Sequence, residues 1–379
     1  MHRSHPKTAT HICIFINVDW FALSHFSDYI REIVSRGHKI TILTTDTGKK
    51  NELICLGAEL SYIDLSRGYT NIFTEIRSCI RVYEALAKLN PDVLELVTIK
   101  PIVYGGLCSR LLRIKNVVYY MSGLGVVFSS RGLISSFKSR ITTLIYRYLM
   151  RSESAKIIVE NTDDLEVFKR HVADNSSIIT VIPGVGVDVN AFYPYDKKNS
   201  ATVKIAMVSR ILHDKGVDEF RVSAIALKDK YPNIEFILAG TIDPTNPASY
   251  STCELDEIVN EGVIKLLGHV ENVACFLRSI DIFLLPSYRE GFPRAIMEAS
   301  ASGLPVITTD VVGCRSAIIH NETGILIKSR DEQGLIDATE KLILSSELRV
   351  SMGKKGRNHA KKEFDEKMLS AAHVDIWEQ

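Results

Sequence analysis

The chain predicts an α/β protein built of two successive doubly wound, parallel-sheet domains. Three features lead there. Short apolar runs alternate with segments of helical periodicity along the whole length. Most of these runs are continuous rather than alternating, as strands covered on both faces are. At 379 residues the chain is also long for a single hydrophobic core.

The elements follow in order. His11 to Asn17, HICIFIN, reads as the first strand and NVDWFALSHF as the turn after it. A helical pattern from about Ser27 to Ser35 stops at Gly37, and HKITILTT is the second strand. PDVLELVT is a strand, a helix lies near Tyr104 to Leu112, and NVVYYMSG, AKIIVEN and IITVIPG are further strands. After Pro183 the chain turns polar through GVGVDVNAFYPYDKKNSATV, with a charge cluster at Asp196, Lys197 and Lys198, so the interdomain connection belongs there. A second series then runs through VKIAMVS, the helix GVDEFRVSAIALKDKY, IEFILAG, VIKLLG, the helix NVACFLRS, DIFLLP and PVITT. The expected boundaries are 1–190, 191–360 and a charged amphipathic helix over 361–379.

Composition narrows the function. A net charge of +1 gives no whole-protein footprint for nucleic acid. The seven cysteines are scattered without a CxxC pair, which fits small buried thiols in a reducing cytosol better than a zinc or disulfide site. The N-terminal residues lack a secretory h-region, and no apolar run approaches the ~18 residues that span a bilayer. The expectation is a cytoplasmic protein that can still lie on a membrane surface.

Ligands of open parallel sheets bind beyond the carboxyl ends of the strands. Neither NVDWFALSHF nor VSRILHDKG contains G-x-G-x-x-G, and no P-loop pattern occurs, so a dinucleotide or P-loop site is not expected. Arg210 follows VKIAMVS, and Lys215 precedes Gly216 where the next helix opens. A forked donor beside a point charge suits a phosphate at a helix N-terminus, although cations at strand ends are as often solvated. In SYREGFPRAIME, Pro293 belongs to the first helical turn, and Gly291 and Phe292 present backbone N–H groups at the positive end of that helix. Glu290 lies before the helix and Glu298 within it. A diphosphate between two polyhydroxyl groups would engage all of these. A capped surface helix with two solvated carboxylates is the competing reading.

EGFPRAIME followed by ASASGLPVITTD resembles the E-x7-E segment of retaining nucleotide-sugar glycosyltransferases of the GT-B fold and family-4 type. IPGVGVDVNAFYP is similar to their interdomain segment, VSRILHDKGVDEF to their diphosphate turn, LLGHVENV to their loop near the nucleotide base, and VVGCRSAIIHNETGILI to the segment after the last donor-site strand. NVDWFALSHF, VTIKPIVYGGL and YYMSGLGVVF resemble a bacterial subgroup that builds surface polysaccharides such as O-antigen and capsule on lipid-linked acceptors. The resemblance implies two Rossmann-like domains facing across a cleft, with the last helix crossing back onto the first. It implies that Arg210 and Lys215 hold the donor diphosphate, that Glu290 contacts the donor sugar, and that Glu298 binds the ribose. Gly291, Phe292, Pro293, Arg294 and His269 would complete the nucleotide-sugar site.

The implied donor is a UDP-linked hexose or N-acetylhexosamine, and the implied acceptor an undecaprenyl-diphosphate-linked saccharide. Two fixed cations make a metal unnecessary, no D-x-D turn stands out, and Asp163 with Asp164 is read as opening a surface helix. Retention by attack on the face the phosphate leaves is the family-typical mechanism, with Glu290 as covalent nucleophile the other view. The glycine-rich loop with a following His, common in the family, is absent; Asp19, Ser24 and His25 stand there instead. His25 is either an acceptor or phosphate contact or a packed residue. Ser24, Lys100 and the Gly123 to Gly125 turn are further candidates for the cleft wall.

In RGLISSFKSRITTLIYRYLMR, Ile134, Phe137, Ile141, Leu144, Ile145 and Tyr148 recur at helical spacing. Arg140, Arg147 and Arg151 border that stripe on one side, Arg131 and Lys138 on the other. An interfacial helix on anionic lipid and a core-packed helix both fit. Two rival functions are open at this stage: a non-hydrolysing nucleotide-sugar epimerase of similar fold, and a non-catalytic two-domain sugar-binding protein.

Overall fold

The computed structural model describes residues 9–65, 71–123, 133–151, 155–172, 178–195, 202–244 and 246–379, with the side chains of 72 and 133–139 excepted. The chain divides into two units, 1–185 together with 367–379, and 186–366. The charge cluster at 196–198, Gly125 and Arg131 lie outside the described residues, as do the side chains of 134, 137 and 138.

In the first unit β1 (His11–Val18), α1 (Asp19–Ser35), β2 (Lys39–Thr45), α2 (Lys50–Cys55), β3 (Glu59–Tyr62), α3 (Ile72–Leu89) and β4 (Val93–Val97) alternate. The series continues through α4 (Ile99–Leu112), β5 (Asn116–Met121), α5 (Leu133–Met150), β6 (Ala155–Val159), α6 (Thr162–His171) and β7 (Ile178–Val181). The strands form one parallel sheet in the order β3-β2-β1-β4-β5-β6-β7. Along β1 the side-chain period of two divides the core. Cys13 and Phe15 enter the layer with α3, α4 and α5, whereas Ile12, Ile14 and Ile16 enter the layer with α1.

The second unit carries β8 (Val203–Val208), a 3-10 turn at His213–Lys215, α7 (Val217–Lys228), β9 (Ile234–Ala239), α8 (Thr252–Asn260), β10 (Ile264–Gly268), α9 (Val273–Leu277) and β11 (Ile282–Leu285). It ends with α10 (Arg294–Ala301), β12 (Val306–Thr309), α11 (Cys314–Ala317), β13 (Gly324–Ile327), α12 (Glu332–Leu344) and α13 (Ser346–Glu363). Its parallel sheet runs β10-β9-β8-β11-β12-β13 around one continuous apolar core.

Each apolar run quoted above forms a strand, and the structure adds two. β3 is an edge strand with no fully buried residue, so it has no apolar run to betray it. β13 opens on a glycine and is four residues long. The helix expected from about Ser27 begins at Asp19 instead: β1 passes directly into α1, and NVDWFALSHF contains no Gly or Pro to hold a turn. Asp19 is fully buried and accepts from the backbone N–H groups of Thr47 and Lys49, both at 3.0 Å, and from the Thr47 hydroxyl. It therefore ties the β2–α2 loop to the first turn of α1. Asp163 and Asp164 open α6 behind the Asn161 cap, as read.

The last helix, α14 (Glu366–Glu378), packs on the first unit from Lys367 onward. Leu369, Val374 and Trp377 join the core around α1, and the Trp377 indole donates to the Tyr29 hydroxyl at 2.9 Å. That hydroxyl donates in turn to the fully buried Glu95 carboxylate at 2.6 Å, and His373 stacks on the Tyr29 ring at 3.9 Å. Arg36 on α1 meets Asp375 at 2.6 Å. The final helix is thus held by burial and by a hydrogen-bonded chain that a truncation would open. Trp377→Ala is expected to cost the first unit about 3–5 kcal/mol, read by hydrogen exchange of the β1 amides under urea. Unchanged exchange would show that α14 contributes no stability there.

Candidate active site

In the 186–366 unit the strand order reverses between β8 and β11. The chain leaves β8 to build β9 and β10 on one side, then crosses to β11, β12 and β13 on the other. At such a reversal of strand order, the carboxyl ends of the two central strands are where open parallel sheets take their ligands.

Two glycines let the backbones meet at that edge. The 3-10 turn passes into α7 through Gly216 at φ 79°, and a Cβ there would lie 2.2 Å from the Pro286 carbonyl oxygen. Gly313, beyond β12, has φ 79°, and its Cβ would lie 2.3 Å from the Gly291 carbonyl oxygen. Any side chain at either position would push apart the loop between 286 and 291 and its neighbours. Hydrogen bonds then pin this loop. The Tyr288 N–H and the Ser287 hydroxyl both donate to the Asp214 carbonyl, at 2.8 Å and 3.0 Å. The Thr309 hydroxyl, at the end of β12, donates to the Ser287 carbonyl.

The outcome is a contact between two of the predicted residues. Lys215 Nζ lies 2.6 Å from Glu290 Oε1, and the side chains are only 15% and 13% exposed. Water therefore screens this pair poorly, and each charge is felt strongly by whatever binds there. Arg210, on the same turn, is exposed and reaches Asp243 Oδ2 at 3.2 Å.

Pro293 is extended and precedes the helix rather than lying in its first turn, and α10 starts at Arg294. Arg294 and Glu298 are one turn apart and paired, with Nε 2.9 Å from Oε1. Burial raises the Glu298 pKa above its ordinary value, and Arg294 only partly opposes this. The half-buried Phe292 ring packs against the core, 5.4 Å from the Phe364 ring. Gly291 lies under Gly313 as described. His269 is exposed just beyond β10, the outermost strand, where the Gly268 carbonyl accepts from the Gly240 N–H at 2.8 Å.

Several neighbours were not anticipated. The Tyr288 hydroxyl donates to both oxygens of the buried Glu219, at 2.7 Å and 3.0 Å, and the Arg330 guanidinium covers the Tyr288 ring at 4.3 Å. Glu219 is on α7 and Arg330 follows β13, so no short sequence pattern links them to Tyr288. Asp243, the partner of Arg210, sits in a loop whose only sequence signal is its place after a strand.

The first unit reverses strand order between β1 and β4. Ser24 and His25 lie within α1, not in a loop. The Ser24 hydroxyl pairs with His25 Nδ1 at 2.6 Å, and the ring stacks on Phe21 at 4.0 Å. Thr98, at the carboxyl end of β4, holds φ 76°, a strained conformation for a β-branched residue. Lys100 is buried in the first turn of α4, its ammonium 3.2 Å from both oxygens of Glu75, which also accepts from the Tyr104 hydroxyl. Gly123 turns the chain after β5 at φ 81°.

Two units, each built on a parallel sheet, match a known architecture. Residues 195–359 match the family described as glycosyl transferases group 1, and residues 11–161 the family described as glycosyl transferase 4-like. The chain belongs to the GT-B glycosyltransferases of this group. A Campylobacter jejuni protein named N,N'-diacetylbacillosaminyl-diphospho-undecaprenol alpha-1,3-N-acetylgalactosaminyltransferase is 26% identical over 362 residues, which is 92% of this chain and 93% of that one. An Escherichia coli protein named UDP-Gal:alpha-D-GlcNAc-diphosphoundecaprenol alpha-1,3-galactosyltransferase is 26% identical over 76% of this chain and 75% of its own. Among solved structures, Anabaena Alr3699/HepE in complex with UDP and glucose superposes with a TM-score of 0.78 at 17% identity, over 97% of this chain and 98% of that one. The glycosyltransferase is therefore an enzyme of hexosyl transfer, and this decides against the epimerase and the non-catalytic binding protein.

The raised Glu298 pKa gives a pH signature. A carboxyl protonated more readily in the folded chain than at the ordinary value of about 4.3 contributes stability that is full below that value and is lost as pH rises through the raised one. Glu298→Gln removes the loss. The melting temperature of the variant relative to the parent should climb from acid to neutral pH, and a flat difference would show that the carboxyl is not desolvated.

Proposed function

We propose that this enzyme transfers a hexose or N-acetylhexosamine, with retention, from a UDP-sugar to a lipid-diphosphate-linked saccharide in the assembly of a bacterial surface glycan. The observation that carries the reading is the shielded Lys215–Glu290 contact at the switch point between β8 and β11, with Arg210 on the same turn. The donor base is inferred from the UDP in the name of the Escherichia coli relative and in the Anabaena complex. The acceptor class is inferred from the undecaprenol-linked acceptors in the names of both relatives.

Lys215 and Arg210 hold the diphosphate. As the bond between the anomeric carbon and the phosphate oxygen breaks, its electron pair leaves with UDP, and the two cations stabilise the growing negative charge. The acceptor hydroxyl attacks the same face, and its proton passes to the departing diphosphate oxygen. Glu290 contacts the donor sugar without forming a covalent bond to it, and Glu298 binds the ribose hydroxyls. The cations take the neutralising role, so no metal is required. The acceptor's lipid places the enzyme peripherally at the cytoplasmic face of the membrane. Among the described residues no helix is long and apolar enough to cross it.

A nucleotide-sugar panel with a short undecaprenyl-diphosphate-linked saccharide, read by mass, tests this directly. One UDP-sugar should give product, and EDTA should leave its rate unchanged. Arg210→Ala and Lys215→Ala are each expected to lower kcat by about 10²–10³, and Glu298→Ala to weaken UDP binding. Lys215→Ala leaves Glu290 as an uncompensated carboxylate, so Lys215→Ala/Glu290→Gln serves as control and should be equally slow. Parent-like turnover in all these variants would overturn the site.

A further inference from the structure

The first turn of α7 is tied from both sides. Strand order places β8 between β9 and β11, so the turn carrying Arg210 and Lys215 leaves the sheet between the loops that follow those two strands. Tyr250, at the end of the loop after β9, donates its hydroxyl to Asp218 at 2.6 Å. Tyr288, in the loop after β11, donates to Glu219 at 2.7 Å and 3.0 Å. Consecutive acids of one helical turn thus take a tyrosine from each neighbouring loop. Burial first, and the bond to the acid next, raises the pKa of both hydroxyls above the ordinary tyrosine value, so both stay protonated and keep donating.

The two ties differ in what they hold. The loop after β9 already bonds the 211–213 segment through its main chain: the Ile211 N–H donates to the Thr241 carbonyl at 3.0 Å and the His213 N–H to the Ala248 carbonyl at 2.9 Å. The loop after β11 carries Glu290, two residues beyond Tyr288. Lys215 with Glu290 and Glu219 with Tyr288 are therefore parallel links between the same two segments, and Lys215 and Glu219 are only four residues apart. Glu219 is 5% exposed, and a carboxylate so buried needs its donor. The Arg330 guanidinium covers the Tyr288 ring at 4.3 Å from a backbone at φ 62°, a left-handed conformation uncommon outside glycine. A ring fixed at its hydroxyl and on its face has little freedom to swing, and a strained residue kept beside it points to function.

We propose that Tyr288 is a positioning residue for hexosyl transfer: its bond to Glu219 holds the loop so that the Glu290 carboxylate stays aimed at the donor sugar while Lys215 engages the diphosphate. This rests on the reading of Lys215 and Glu290 as donor-site residues. A diphosphate competes with Glu290 for Lys215, so the charge contact alone does not keep the loop in place during the reaction. The hydroxyl–carboxylate bond offers the diphosphate no cation and persists. Tyr288 acts through Glu290, so its loss slows transfer and spares the grip on UDP that Arg210, Lys215 and Glu298 supply.

Tyr288→Phe keeps the ring and removes the bond. Its kcat with the UDP-sugar and the lipid-linked saccharide should fall about ten- to a hundredfold. UDP affinity by calorimetry should stay within about twofold of the parent. Because the buried Glu219 carboxylate loses its donor, the melting temperature should fall as well. Tyr288→Phe/Glu219→Gln removes that unpaired charge and should recover the melting temperature but not kcat. Glu219→Gln alone keeps an acceptor for the hydroxyl and should turn over near the parent rate. Parent-like kcat in Tyr288→Phe overturns the proposal, and so does a double variant whose kcat recovers with its melting temperature, the mark of a merely structural tie. Lys215 reports with no substrate present. Its acetylation by acetic anhydride, mapped by mass, should run about threefold faster or more in the double variant, whose loop no longer shields the amine. Unchanged labelling overturns the proposal. Faster labelling in a chain whose parent transfers from no nucleotide sugar would sink the functional reading and leave the hold of Tyr288 on the Lys215–Glu290 contact standing.

Discussion

Everything at the carboxyl edge of the second sheet depends on how closely two backbone segments approach. β8 and β11 are neighbours in the sheet but far apart in the chain, and their following turns must touch for Lys215 to meet Glu290 at 2.6 Å. Gly216 against the Pro286 carbonyl and Gly313 against the Gly291 carbonyl make that approach sterically possible. Ser287, Tyr288 and Thr309 make it specific, because their hydrogen bonds fix the loop from both sides. The charges are thus presented by turns that hydrogen bonds fasten to the carboxyl edge of a parallel sheet.

The charges of the site are paired within the chain. Arg210 is paired with Asp243, Lys215 with Glu290 and Arg294 with Glu298. Lys215, shielded from water, would be costly to fold without the Glu290 counter-charge. Glu298 differs: desolvation dominates its environment, and a nearly buried carboxyl beside one guanidinium is suited to neutral hydroxyl partners.

The sequence made the central strands readable because each is buried on both faces, which leaves an unbroken apolar run such as HICIFIN or DIFLLP. Edge strand β3 has no such run, and the start of α1 at Asp19 carries no Ser, Thr or Asn cap to announce it. The pairing of Lys215 with Glu290 was within reach, because both follow strands and both motifs were visible. Asp243, Glu219 and Arg330 were not, since their partners are set by strand order, which spacing along the chain does not encode. The ring contact of Phe292 with Phe364 was hidden for a related reason: a residue at a helix mouth has two directions available, and spacing along the chain does not decide between them.

The same ambiguity explains why the apolar face of α3 escapes a sequence reading. Val82 and Leu86 are as apolar as Ile76 and Ile80, and helical periodicity alone does not say which stripe turns inward. Close packing settles it. Gly105 and Gly106 seat α4 against Leu96 and Leu149, and Cys79 of α3 comes within 3.9 Å of Cys108 of α4. Small residues occupy the inner contacts, so the helices lie tight on the sheet and on each other. Leu107, Leu111, Ile76 and Ile80 are then left no inner space to fill and must face outward. The exposed band is therefore a consequence of how closely this layer packs.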